Sequence, residues 1–114
     1  MDTKDIFNYD DLLHRLLGDS ELAATIIDGF LEEIPGHLAK LEAAVSGDNL
    51  DGAAKIAHYM KGEAGNIGAP ALRQTAADME TALKSGNRAL IAAALETVRN
   101  TVGELTDHLR SWKP

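Results

Sequence analysis

Apolar residues recur along the chain at the spacing of an α-helix, and no segment alternates with period two for long. The last segment is the clearest. Ile91, Leu95, Val98, Val102, Leu105, Leu109 and Trp112 are separated by alternating steps of four and three, which is one stripe down a long helix. The stretch from Ser20 to Val45 carries Ala23, Ile27, Phe30, Ile34, Leu38, Leu41 and Val45 in the same manner. Pro35 interrupts it, so this stretch is one kinked helix or two. Leu50, Ala53, Ala57, Met60, Ala64 and Ile67 form a third stripe, and Leu72, Ala76, Met79 and Leu83 a fourth. A short amphipathic piece precedes them, with Tyr9, Leu12, Leu13, Leu16 and Leu17, stopped by Gly18.

Punctuation between the stripes is that of helix ends. Ser46-Gly47-Asp48 reads as a turn, after which Asp48 or Asn49 caps the third stripe. Gly68-Ala69-Pro70 closes that helix with a glycine and opens the next with a proline at its first position. Gly86 ends the fourth helix and Asn87 caps the last. The expected fold is all-α: four main helices with short turns, hence an antiparallel up-down four-helix bundle, plus a short extra N-terminal helix. Residues 1–114 are expected to form a single domain, since two would each be too small for a useful core.

Composition narrows the function. With 18 acidic against 11 basic residues the formal charge is -7, which argues against a phosphate-binding surface for nucleic acid. The absence of Cys removes disulfides and thiolate chemistry and fits a reducing compartment; the expected location is cytoplasmic. No apolar run approaches the ~20 residues of a membrane span, and Met1–Asp5 does not read as a signal peptide.

Four histidines could carry chemistry. None stands three or four residues from another, so no metal site is expected from them. His14, His37 and His108 read as ordinary solvated side chains. His58 has different surroundings. It follows core position Ala57, which puts it about 100° round the helix at the edge of the solvent-facing side. Around it lie Ala54, Lys55, Lys61, Gly62 and Gly65. A glycine inside a helix costs on the order of 1 kcal/mol relative to Ala, and this helix carries several. Close helix packing accounts for such a glycine where it faces a neighbour, as Gly65 is expected to do. Gly62, one turn beyond His58 on the solvent side, points instead to close approach by another molecule. Lys55 and Lys61 set positive charge beside His58, although a solvated face would look the same.

The helical hairpin adds a carboxylate. His58 stands eleven residues before Ala69, the centre of the turn, and Glu80 eleven after it, just past core position Met79. Level positions on two antiparallel helices let Glu80 hold one imidazole nitrogen and leave the other facing outward. A solvated glutamate is the equal alternative.

The segment Ala57-His58-Tyr59-Met60-Lys61-Gly62-Glu63-Ala64-Gly65 resembles the His-x-x-Lys-Gly signature of histidine-containing phosphotransfer (HPt) domains. The resemblance extends over nearly the whole chain, through Phe7–Asp19, Phe30–Pro35 and the last helix. It implies a carrier that accepts a phosphoryl group on His58 from a receiver aspartate of a response regulator and passes it to another receiver. It implies that Lys61 lies near the phosphoryl group, that Gly62 leaves room for the receiver, and that Lys55, Gly62 and Gly65 belong to the docking face. The position of Glu80 is often Gln in that family, where it holds the imidazole. Glu63 stands where a small residue is common and is expected to add negative charge beside the site. No cofactor is expected, Mg²⁺ residing on the partner receiver. Nor is an ATP site expected: the chain reads as a carrier, not an enzyme. Receiver domains and a hybrid sensor kinase are the implied partners, and the expected state is a monomer. Two rival readings are the N-terminal phosphotransfer module of a chemotaxis-type histidine kinase and a helical adaptor that is never phosphorylated. The dimerisation hairpin of a sensor kinase fits less well, because it wants an acidic residue where Tyr59 follows His58.

Overall fold

The computed structural model describes residues 2–114, and these form six helices and no strands. Two short helices, α1 (Thr3–Ile6) and α2 (Tyr9–Arg15), come first. Four longer ones follow: α3 (Ser20–Ser46), α4 (Leu50–Ile67), α5 (Pro70–Ser85) and α6 (Arg88–Arg110). The single N-terminal helix expected from the sequence is thus two, each with its own side-chain cap: Asp2 accepts from the Lys4 N–H and Asn8 from the Asp11 N–H.

α3 runs unbroken through Pro35. The proline faces solvent, and the stripe on either side of it stays in register, with Ile27, Phe30, Ile34 and Leu41 all buried. That burial outweighs the one hydrogen bond the proline removes. Asn49, not Asp48, caps α4 by accepting from the Gly52 N–H at 3.0 Å. Gly68 and Gly86 end α4 and α5 in the left-handed region, at φ 84° and 70°. Asn87 caps α6.

α4 packs on both α3 and α5, α5 on α6, and α6 returns to α3, so the four long helices enclose one core. Its fully buried side chains come from α2 (Leu12), α3 (Ile34, Leu41), α4 (Met60, Ile67), α5 (Leu72, Met79) and α6 (Val98, Leu105). Burying each contributes roughly 1.5–3 kcal/mol. Ala53, Ala57 and Ala64 complete the buried stripe of α4 and keep it thin where two neighbours press on it.

Two details depart from the sequence pattern. Leu17 belongs to no apolar stripe: it lies beyond α2, is 96% exposed and has φ 56°. Trp112 lies beyond α6, where its ring meets those of Phe7 at 5.3 Å and Tyr9 at 5.2 Å and ties the two ends of the chain together.

Candidate functional site

The turn between α4 and α5 sets the register of the site. The Asn8 N–H donates to the Gly68 carbonyl at 2.7 Å, and a Cβ on Gly68 would stand 2.8 Å from the Asn8 carbonyl oxygen. Only a residue without a side chain permits that approach, and Gly68 is also the residue that takes positive φ. This contact fixes α2 against the hairpin and brings Asp11 and Arg15 to its surface.

From that turn α4 and α5 run in opposite directions. Gly65 is level with Arg73, and His58 with Glu80. His58 projects beside the buried stripe with its side chain 67% exposed, and its Nδ1 lies 3.3–3.4 Å from the two Glu80 oxygens. Glu80 is the opposite case, with a side chain only 13% exposed. Its Oε1 accepts from Lys61 Nζ at 3.1 Å and its Oε2 from Lys84 Nζ at 3.2 Å. The Lys61 hydrogen bond above all, with Lys84 and His58 adding to it, pulls the Glu80 carboxyl down to about 2 against the opposing effect of burial. At neutral pH Glu80 is therefore an anion that accepts. A neutral imidazole bonded to it carries its proton on Nδ1, which leaves the Nε2 lone pair free.

An open cleft surrounds the imidazole, lined by Asp11, Arg15, His58, Lys61, Gly62, Gly65, Asn66 and Arg73. A Cβ on Gly62 would meet nothing within 4 Å, so the fold itself places no demand on that glycine. At Gly65 a Cβ would meet the Arg73 side chain at 3.6 Å, an ordinary contact; the tight helix packing expected there is not what the position shows. Lys55 is exposed on α4 one turn before His58 and lies outside the cleft lining. Arg15, Asp11, Asn66, Arg73 and Lys84 were not singled out from the sequence. The one signal for the first two was the Asp11–Arg15 spacing of four on α2, seen as an ion pair at 3.2 Å.

Three other expectations are corrected. Glu63 does not add charge beside His58. It lies on the side of α4 that faces α3, where its Oε1 stands 2.8 Å from His37 Nδ1. His37 is accordingly half-buried, with its ring edge-on to Tyr59 at 5.1 Å. His108 is also half-buried, against Phe7 and Trp112. Each of these histidines precedes an apolar residue of its stripe, Leu38 or Leu109, and so sits on the border of the core rather than in solvent.

An all-helical bundle with one open imidazole held from behind by a carboxylate is the class of molecule to be placed. The family model of the Hpt domain matches residues 25–112, and the chain belongs to that family. It is thus a histidine phosphotransfer module of two-component phosphorelays. Its fold is similar to that of the HPT domain from the Hpt sensor hybrid histidine kinase of Shewanella, with a TM-score of 0.71 and 19% identity. That match covers 99% of this chain and 100% of the other. No curated protein matches the chain. No helix among the described residues is long and apolar enough to cross a membrane.

Proposed function

We propose that the chain accepts a phosphoryl group on Nε2 of His58 from the aspartyl phosphate of a response-regulator receiver and hands it on to a second receiver. The observation that carries this reading is the asymmetry of the imidazole: Nδ1 faces the Glu80 carboxylate while the rest of the ring is open. In the forward step the Nε2 lone pair attacks phosphorus, the Nε2–P bond forms, and the acyl phosphate P–O bond breaks. The receiver aspartate leaves as a carboxylate. The ring becomes a phosphoimidazolium whose positive charge is balanced by Glu80, and the Nδ1–H strengthens its hydrogen bond. The reverse sequence passes the group on.

Phosphoryl transfer asks mainly for positioning and charge from its protein environment. Lys61 is one turn from His58, and we assign it to the phosphoryl oxygens. To reach them its ammonium exchanges part of its contact with Glu80, which Lys84 continues to neutralise. Gly62 leaves the backbone of α4 bare where the receiver must bring its aspartate within bonding distance. Lys55 and Gly65 flank that approach and complete the docking face. Mg²⁺ belongs to the receiver, and no ATP site is assigned to this chain. In this reading the chain is a carrier and not an enzyme.

The test is direct. Incubation with a panel of receivers phosphorylated on aspartate should yield a label on this chain that is acid-labile and base-stable. His58→Gln should abolish it with the fold retained. A label that survives in this variant, or that requires ATP and a linked kinase domain with no receiver able to donate, contradicts the proposal; the second outcome favours the module of a chemotaxis-type kinase.

A further inference from the structure

Each of two glutamates on the bundle lies against an imidazole, and their charge environments are opposite. Glu80 is neutralised by two lysines. Glu63 is covered to the same degree, with 13% of its side chain exposed, yet among the described residues the ionisable group it bonds to is His37 alone. Glu33 lies one helical turn before His37 on α3, on the same side, and among the described residues forms no ion pair with a lysine or arginine. One ligand atom from each of Glu33, His37 and Glu63 falls within 4.8 Å of the others. Two carboxylates and one imidazole thus meet across a half-buried seam between α3 and α4.

We propose that Glu33, His37 and Glu63 form a binding site for a divalent transition-metal ion of the zinc type, with water completing the coordination. The donor set of one imidazole and two carboxylates suits such an ion, because imidazole favours zinc and its neighbours over magnesium or calcium. The distances are close to those required. Ligands about 2.0–2.1 Å from a tetrahedral zinc stand roughly 3.3 Å apart. His37 Nδ1 and Glu63 Oε1, at 2.8 Å, need to open by only a few tenths of an ångström. Glu33 is exposed, and its carboxylate lies within 4.8 Å of both other ligand atoms. On binding, the single proton of the neutral ring resides on Nε2 and Nδ1 gives its lone pair to the metal. The edge-on contact with Tyr59 holds the ring plane in place, which limits the ordering that binding must supply. The site joins α3 to α4 on the side of α4 turned away from the phosphotransfer cleft, and it does not depend on the assignment of His58.

Zinc chloride titrated into the full chain, followed by calorimetry in a non-chelating buffer, should show one ion per chain. The His37 and Tyr59 ring resonances should move on uptake, while those of His58 stay in place. His37→Gln and Glu63→Gln should each weaken uptake at least about 10-fold, and His58→Gln should leave it unchanged. Because His37 and Glu63 also support the helix interface, the exposed Glu33→Gln is the control for a folding defect; it too should weaken uptake. Three results would overturn the proposal. One is the absence of saturable 1:1 uptake, which leaves the pair held by a proton only. The second is uptake unaffected by Glu33→Gln or His37→Gln. The third is uptake lost in His58→Gln, which would place the ion in the other cleft.

Discussion

Replacing Glu80 by glutamine removes one charge and leaves a carbonyl that still accepts from His58 Nδ1. The structure sets the size of the effect. A carboxyl held at about 2 in the fold, against 4.5 ordinarily, corresponds at face value to ~3 kcal/mol of stability. The partners are not enclosed, however: the side chain of Lys84 is 68% exposed and that of Lys61 31%. Water and salt screen such pairs, and exposed pairs deliver roughly 0–1 kcal/mol each. We therefore expect Glu80→Gln to cost ~1 kcal/mol at pH 7, or about 4 °C in Tm for a chain of this length. The folded carboxyl lies below its ordinary value, so its contribution is fully present above pH 4.5 and is lost as the pH falls towards 2. Urea unfolding of both proteins between pH 7 and pH 2 should show a gap that is constant down to about pH 5 and closes below it. The same gap should shrink in 1 M salt. A gap that persists at pH 2 would mean that packing, not charge, distinguishes the two side chains. No gap at pH 7 would mean that the two lysine contacts contribute nothing.

The remaining predictions concern access, charge and strain. Gly62→Gln should block transfer from receivers and leave the fold intact or raise Tm by up to a few degrees, since a Cβ there meets nothing and Gln is the better helix former; transfer at the normal rate would return Gly62 to an incidental position. Lys61→Ala should slow phosphoryl transfer about 10-fold in rapid-quench measurements, equivalent to about 1.4 kcal/mol on the barrier; an unchanged rate would make Lys61 only a partner of Glu80. Leu17→Gly should raise stability by roughly 1 kcal/mol, because Leu17 has φ 56° and buries nothing; a loss of stability in thermal unfolding would show that the loop needs the side chain.

Much of the bundle was legible in the spacing of apolar residues, because a helix that packs on two neighbours must keep its stripe in register. The stripe of α4 from Ala53 to Ile67 and the stripe of α5 are buried as the sequence orders them, with Leu50 only half-buried at the start of α4. The level pairing of His58 with Glu80 was legible for a related reason: Gly68 and Pro70 permit only a short turn, and a short turn fixes the register of the helices it joins. What was not legible depends on contacts distant in sequence. Glu63 turns toward His37 because α3 covers that side of α4, and nothing near position 63 announces it. Arg15 reaches the cleft because Asn8 bonds to Gly68, sixty residues on. Leu17 completes an apolar pattern but falls after the last turn of α2, where the chain reverses and periodicity no longer applies.

The central claim is that Glu80 holds one nitrogen of His58 so that the other takes the phosphoryl group. Long-range proton–nitrogen NMR on the ¹⁵N-labelled chain, phosphorylated by a receiver or a small phosphodonor, identifies the modified nitrogen. The account predicts a phosphorus-coupled Nε2 on His58, with Nδ1 protonated. Phosphorylation on Nδ1 of His58, or on any other histidine, would contradict it.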